Sequence, residues 1–354
     1  MVMAGGTGGH VFPALAVADW LRQQGCDIFW LGTPQGMETR LVPGRGYRME
    51  TIDVKGVRGA GWKRRLAAPF VIIRALWQAF LVLRRNRPGL VLGMGGFVTG
   101  PGGLMARVLR IPLVIQEQNA IPGLTNRLLS RIASRVFEAF PGSFANSVKA
   151  EESGNPVRTE IAALPEPEQR LTRHAGRPRL LVLGGSLGAR ALNRMAPAAL
   201  AKFAPTQRPE VRHQAGEKTL QDALNAYRQH GIEAEIKPFL DNMAAAYAWA
   251  DLVICRAGAL TVSELAAAGL GAVLVPFPYA VDDHQTRNAG FLVDAGAGVL
   301  MQESEMNADS LGKQLQTLLE NPQQLLAMAQ AARRLARPQA AEVVGRACLE
   351  VLQQ

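Results

Sequence analysis

Two glycine corners and one histidine hold the residues of this 354-residue chain best suited to chemistry. Gly5-Gly6-Thr7-Gly8-Gly9-His10 joins a short apolar run to a helical pattern near Pro13, and Gly184-Gly185-Ser186-Leu187-Gly188 makes the same join before Ala189. Glycines after a strand let backbone N–H groups converge on an anion, and the following helix N-terminus adds partial positive charge. Thr7 and Ser186 each add a hydroxyl. One such corner alone is better explained by a tight βα turn needing positive φ. Two, at matched places in successive halves, point to phosphate. A third glycine-rich stretch, residues 93–103, follows another strand-like run. His10 lies within the first corner, where two readings stay open. A neutral imidazole there can take a proton from an attacking hydroxyl, or the ring can simply satisfy a backbone carbonyl at a helix start.

Residues 256–264 (RAGALTVSE) follow the apolar run 252–255 and begin a helix. The order Thr261-Val262-Ser263-Glu264 suggests a hydroxyl cap and a carboxylate at that helix N-terminus. Glu264 then either complements the dipole or closes a capping box, or it accepts two ribose hydroxyls of a nucleoside. His284 shares a loop with Gln285 and Asn288 and is a secondary site candidate. His174, His213 and His230 read as surface or strand-end residues. Several ligand classes are disfavoured. A dinucleotide site wants G-x-G-x-x-G and an acidic end to the second strand, whereas that strand ends Trp30-Leu31-Gly32-Thr33. There is no G-x-x-x-x-G-K-[ST], and no Asp-x-Asp of the kind used in metal-assisted sugar transfer. Asp282 and Asp283 are adjacent and read as solvated loop carboxylates, so no metal site is expected.

These candidates need elements to carry them. Short β-rich runs alternate with longer helical patterns, the mark of parallel sheets built from βαβ units. Strands are expected at 2–4, 27–31, 47–52, 90–93, 112–116 and 135–138, then at 179–183, 210–214, 234–238, 252–255, 272–275 and 298–301. Helices are expected near 13–23, 69–85, 101–109 and 123–132, then 189–204, 217–229, 243–249, 263–268, 283–295 and several beyond 307. The predicted fold is therefore α/β, with two domains of 1–155 and 156–338. The boundary follows from Gly154-Asn155-Pro156 and the Pro- and Glu-dotted stretch 164–178. A last helix, about 339–354, follows Pro338 and can pack on either domain.

Charge divides the same way. The net charge is +10, and residues 1–155 hold 19 Lys/Arg against 9 Asp/Glu, while the remainder holds 20 of each. Residues 70–83 (FVIIRALWQAFLVL) are the most apolar stretch, preceded by Lys63, Arg64 and Arg65 and followed by Arg84 and Arg85. Phe70, Ile73, Trp77, Phe80 and Leu81 give this segment either a lipid-facing surface with cationic flanks or a buried core helix with solvated ends. At this length, interrupted by Arg74 and Gln78, it cannot span a bilayer. The first strand starts at Met1, so no secretory signal is expected, and its shortness suggests that a few preceding residues are absent. Three scattered cysteines without a C-x-x-C pair suggest structural thiols in a reducing compartment. The basic half also admits a polyanion binder, but no aromatic–basic interleaving supports nucleic acid.

Seven segments in order give the chain a full-length resemblance to the MurG family, the bacterial transferases that complete lipid II. They are GGTGGHVFPALAVA from Gly5, GMGGFVTGPGG from Gly93, QEQNAIPGLTNR from Gln116, GNPVR from Gly154, GGSLGARALN from Gly184, CRAGALTVSE from Cys255 and VPFPYAVDDHQTRNA from Val275. The resemblance implies a GT-B glycosyltransferase, two Rossmann-like doubly wound domains with the site in a cleft between them. It implies UDP-GlcNAc as donor, held by Ser186 at the diphosphate, Leu240 by the uracil, and Ala259, Leu260, Thr261, Val262, Ser263 and Glu264 at the nucleoside and phosphate. Glu264 would take the ribose, Gln285 the sugar hydroxyls, and Arg158 a place near hinge and phosphates. Thr7, Gly8, Gly9 and Asn119 would contribute from the N-terminal half, with His10 as base. The implied acceptor is lipid I, undecaprenyl-pyrophosphoryl-MurNAc-pentapeptide, reached by peripheral attachment to the anionic cytoplasmic face of the inner membrane. No cofactor is implied, and cell-wall or division proteins are possible further partners. The nearest alternative is a GT-B transferase with another sugar or lipid.

Overall fold

The computed structural model describes residues 1–54, 62–171, 176–185 and 188–353, with the side chains of 62–68 outside that description. Ser186, and the side chains of Lys63, Arg64 and Arg65, therefore lie outside the described residues. The chain forms two compact units. One comprises Met1–Arg158 and Arg337–Gln354, the other Thr159–Ala336.

In the first unit the strands are β1 (Val2–Met3), β2 (Phe29–Gly32), β3 (Arg48–Thr51), β4 (Val91–Gly93), β5 (Leu113–Glu117), β6 (Arg135–Glu138) and β7 (Ala150–Glu152). They pair in parallel in the order β3-β2-β1-β4-β5-β6-β7. The second unit has β8 (Arg179–Leu183), β9 (Glu210–Gln214), β10 (Glu235–Lys237), β11 (Leu252–Cys255), β12 (Gly271–Leu274) and β13 (Gly298–Leu300). Their order is β10-β9-β8-β11-β12-β13, again parallel. Each is a doubly wound sheet whose order reverses beside its first strand. Ligands of such sheets bind outside the carboxyl ends of the strands at that reversal. Here the reversals fall between β1 and β4 and between β8 and β11. The corners singled out from sequence follow β1 and β8.

The central strands are continuous apolar runs because helices cover both faces. Val2, Trp30, Leu92 and Val114 share one face of the first sheet with Val11, Ala14 and Ala18 of helix Gly8–Gln23. The final helix, Ala340–Leu352, joins that same layer through Val344, Ala347, Cys348 and Val351. Met3, Leu31, Val91 and Ile115 pack on the opposite face with Ala79, Val82 and Leu83 of helix Trp62–Asn86.

Several elements differ from expectation. β7 and the helix Glu38–Gly44 have no counterpart in the predicted scheme. His213, read as a surface or strand-end residue, is fully buried within β9, because both faces of that strand are covered. Its Nδ1 lies 2.9 Å from the Tyr227 hydroxyl. Cys255 and Cys348 are buried free thiols, and burial pushes each up to about 12.

Candidate active site

In the first unit the site is built where β1, β4 and β5 end side by side. Gly8, Gly9 and His10 form the first turn of helix Gly8–Gln23, with Thr7 as an extended N-cap whose side chain makes no capping bond. The amides of a first helical turn have no intrahelical acceptor. Those of Gly8 and Gly9 are therefore available to an anion, whereas His10 N already donates to the Thr7 carbonyl at 3.1 Å, and Thr7 is exposed beside them. Two contacts force glycine into this corner. A Cβ on Gly5 would lie 2.6 Å from Glu38 Oε1, and one on Gly96 would lie 2.4 Å from the Gly5 carbonyl oxygen. Glu38 is fully buried. It accepts from Gly6 N at 2.9 Å, Thr33 N at 2.9 Å and Thr33 Oγ1 at 2.7 Å, tying the loop after β2 to the corner after β1.

His10 Nδ1 lies 2.8 Å from Gln118 Oε1, so the ring is bonded to a side chain and not to a backbone carbonyl. Asn119 follows Gln118, and both its backbone N and its Nδ2 donate to Glu117 Oε1, at 2.9 and 3.2 Å. Glu117 Oε2 accepts from Gly123 N and Asn126 Nδ2 at 3.1 and 2.9 Å, which fixes the loop carrying Asn119. Arg158 is half-buried with its guanidinium carbon 5.1 Å from the Phe12 ring, one turn from Thr7. Thr7, Gly8, Gly9, His10, Asn119 and Arg158 thus belong to one end of the first unit.

The second unit repeats the plan. Gly185 and Gly188, which flank Ser186 and Leu187, have φ of 77° and 79°. A Cβ on Gly188 would meet Thr219 Oγ1 at 2.0 Å and the Ala215 carbonyl at 2.6 Å. Asn193 Nδ2 donates to the carbonyls of Ala215 and Thr219, both at 3.1 Å, holding the segment behind that corner. Gln214 Oε1 accepts from Leu240 N at 3.1 Å, which fixes buried Leu240 beside the end of β9.

The TVSE run lies differently from its predicted place. The helix starts at Ala259, after extended Gly258, a full turn before Ser263. Ala and Leu at positions 259 and 260 extend it backwards, so Thr261 and Ser263 are not caps. Ser263 Oγ bonds the Ala259 carbonyl at 3.0 Å. Glu264 falls in the second turn, 3% exposed, where its Oε2 accepts from Tyr247 OH at 3.2 Å. That removes the capping-box reading. Val262 is fully buried and offers only its backbone, while Leu260, Thr261 and Ser263 are partly accessible. Arg256 donates to the carbonyls of Val275 and Pro276, at 3.2 and 3.0 Å, and pairs with Glu303. Gln285 is held close by, its Oε1 accepting from Phe277 N at 2.9 Å, which leaves its amide hydrogens for a ligand. His284 Nδ1 turns inward to donate to the Val281 carbonyl at 2.8 Å. Exposed Asp282 and Asp283 have φ of 54° and 51°, and no acidic, His or Cys cluster among the described residues could hold a metal.

Sequence reasoning misses Glu38, Gln116, Gln118, Gln214, Tyr247 and Arg256. The only available signal is the polar string Gln116-Glu117-Gln118-Asn119, which closes an apolar strand and is buried through Gln118.

Helix Trp62–Asn86 presents two faces. Ala75, Ala79, Val82 and Leu83 are buried, while Phe70 (78% exposed), Ile73, Trp77 (60%) and Leu81 face outward. Phe80 is half-buried and stacked on Trp77, centroids 5.6 Å apart. Ile73, Leu76, Trp77 and Phe80 line a shallow hollow of about 280 Å³ with Met105 of helix Thr99–Val108. Exposed Leu104 and Val108 continue the apolar surface onto that helix. Of the flanking cations, Arg84 has no ion pair among the described residues, whereas Arg85 pairs with Glu50 at 2.5 Å. No helix among the described residues is long and apolar enough to cross a membrane.

The N-terminal domain of glycosyltransferase family 28 matches residues 1–138, and the C-terminal domain of that family matches residues 179–344. The chain is 58% identical over 350 residues to the UDP-N-acetylglucosamine–N-acetylmuramyl-(pentapeptide) pyrophosphoryl-undecaprenol N-acetylglucosamine transferase of Alkalilimnicola ehrlichii, covering 99% of this chain and 98% of that one. It is 54% identical to the transferase of the same name from Marinobacter nauticus, covering 99% and 96%. Its structure resembles the crystal structure of Acinetobacter baumannii MurG with a TM-score of 0.83 and 46% identity, over 99% of both chains. With twin doubly wound sheets and a glycine corner at each reversal, the chain belongs to glycosyltransferase family 28 and, within it, to the MurG family.

Proposed function

We propose that this chain transfers GlcNAc from UDP-GlcNAc to the C4 hydroxyl of MurNAc in lipid I, forming lipid II with inversion at the anomeric carbon. The observation that carries the reading is identity above 50% along nearly the whole of two transferases named for that reaction. The geometry supports it, since both sheets end in corners suited to phosphate. In the second unit, Glu264 takes ribose hydroxyls, the backbone from Ala259 to Ser263 and the Ser186 corner take nucleoside and diphosphate, Leu240 adjoins uracil, and Gln285 donates to the sugar. In the first unit, His10 removes the acceptor proton. Thr7, Gly8, Gly9, Asn119 and Arg158 offset charge growing on the departing diphosphate. The acceptor's polyprenyl chain stays in lipid, so the exposed face of helix Trp62–Asn86, with Lys63, Arg64, Arg65 and Arg84, rests on the anionic cytoplasmic surface of the inner membrane. Each basic residue near such a surface contributes about 1 kcal/mol.

Transfer of labelled GlcNAc to a lipid-linked MurNAc acceptor tests this reading. Wild-type protein is expected to be active with or without EDTA, and His10→Ala to lose about 10²- to 10⁴-fold in kcat. Absence of transfer from UDP-GlcNAc by the folded protein would refute it.

A further inference from the structure

We infer that Gln118 is a positioning residue that sets the tautomer of His10, holding the ring proton on Nδ1 and the lone pair on Nε2. The inference rests on the reading of His10 as base. Gln118 is buried, and its Nε2 lies 3.0 Å from the Met94 carbonyl, 3.2 Å from the Gln116 carbonyl and 2.6 Å from Gln116 Oε1. An oxygen in that place would face three acceptors with no proton between them, so the amide has one permitted orientation. Gln116 is fixed in turn. Its Nε2 faces the Gly154 carbonyl at 3.2 Å and Asn155 Oδ1 at 3.3 Å, which aims its oxygen at Gln118. Asn155 Nδ2 closes the circuit on the Gln118 carbonyl at 3.0 Å.

The atom left to meet His10 Nδ1 is therefore an acceptor, Gln118 Oε1, at 2.8 Å. Nδ1 must donate, and in a neutral imidazole the other nitrogen then carries the lone pair a base requires. Because the partner is an uncharged amide, the ring is oriented without an added negative charge beside it. Gly95 makes the contact possible. Its φ is +92°, and a Cβ there would lie 2.4 Å from His10 Nδ1 and 3.0 Å from Gln118 Oε1.

Nitrogen-15 spectra of histidine-labelled protein read the tautomer directly. Neutral His10 is expected to be protonated on Nδ1 in the wild type and to populate the Nε2–H form in Gln118→Met, which keeps chain length but removes the acceptor. That variant should lose about 10- to 100-fold in kcat, part of what a placed base supplies, with KM for UDP-GlcNAc changed less than about twofold. In a His10→Ala background the same substitution should cost nothing further, since its effect runs through the ring. Nε2–H as the main wild-type form, or additive losses in the double variant, would overturn the inference. The wild-type spectrum decides even if Gln118→Met folds poorly. A fully active His10→Ala would instead sink the base assignment, and with it any catalytic meaning of the tautomer.

Discussion

His213 never meets water in the folded chain, and that has a consequence for acid stability. Burial lowers its pKa to about 3, against an ordinary value of 6.5. Below pH 6.5 the unfolded chain binds a proton there that the folded chain refuses, so stability falls as pH drops from about 6.5 towards 3. Between pH 7 and 4.5 one such group costs about 2.5 kcal/mol. His213→Gln, whose amide can still serve the Tyr227 hydroxyl, should flatten the pH dependence of urea-unfolding free energy by that amount. An unchanged slope would show that His213 takes up its proton without unfolding. At this scale the sequence is legible only where chemistry is local. His10 declares itself by lying in a glycine corner, but Gln118 and Glu38 act on partners 108 and 32 residues away, and no local pattern announces that. Glu264 is legible as a residue to watch, yet its burial against Tyr247 depends on where the helix starts.

Elements with strong apolar periodicity are the ones the sequence reveals. Every strand of the second sheet lies within a residue or so of its expected place, most plainly the three whose LLVL, LVIC and AVL runs are buried on both faces. β7 is hidden, since Ala150-Glu151-Glu152 is a half-exposed edge with nothing apolar to betray it. The helix Glu38–Gly44 is masked by Pro43 and by its own terminal glycine. For helix Trp62–Asn86, periodicity alone leaves a buried core helix and a lipid-facing surface equally open, and the burial pattern separates a buried face (Ala75, Ala79, Val82, Leu83) from an exposed apolar one (Phe70, Ile73, Trp77, Leu81). The double variant Ile73→Ser/Trp77→Ser should bind anionic vesicles at least tenfold more weakly, since each large apolar side chain is worth about 1.5–3 kcal/mol on burial. Its thermal stability should barely move, as exposed positions rarely matter by more than about 0.5 kcal/mol. Arg84→Gln should weaken vesicle binding more than Arg85→Gln, whose charge Glu50 already offsets. Sedimentation with vesicles at two salt concentrations checks both, and equal effects of the two arginines would contradict the pairing.

For the molecule as a whole, the basic excess falls on the unit that also carries the exposed apolar helix, while the other unit is electrically balanced. The last helix belongs to the basic unit. There Gly345 lies so close to Trp20 that a Cβ would come within 2.3 Å of the indole. Deleting residues 338–354 should remove about 3–6 kcal/mol of burial from Val344 and Val351 alone. Hydrogen exchange should then accelerate in β1 and β2 and remain slow in β8 and β11; uniform acceleration would mean the two units unfold together. The chain also leaves this unit and returns to it at neighbouring points. A Cβ on Gly154 would lie 2.4 Å from that of Arg337, and Arg337 pairs with Glu152 at 2.8 Å. Residues 159–336 are thus an insertion between two stretches of the first unit that meet at Gly154 and Arg337. Whoever wishes to graft another module onto the first unit has only two junctions to rebuild, one after Arg158 and one before Arg337.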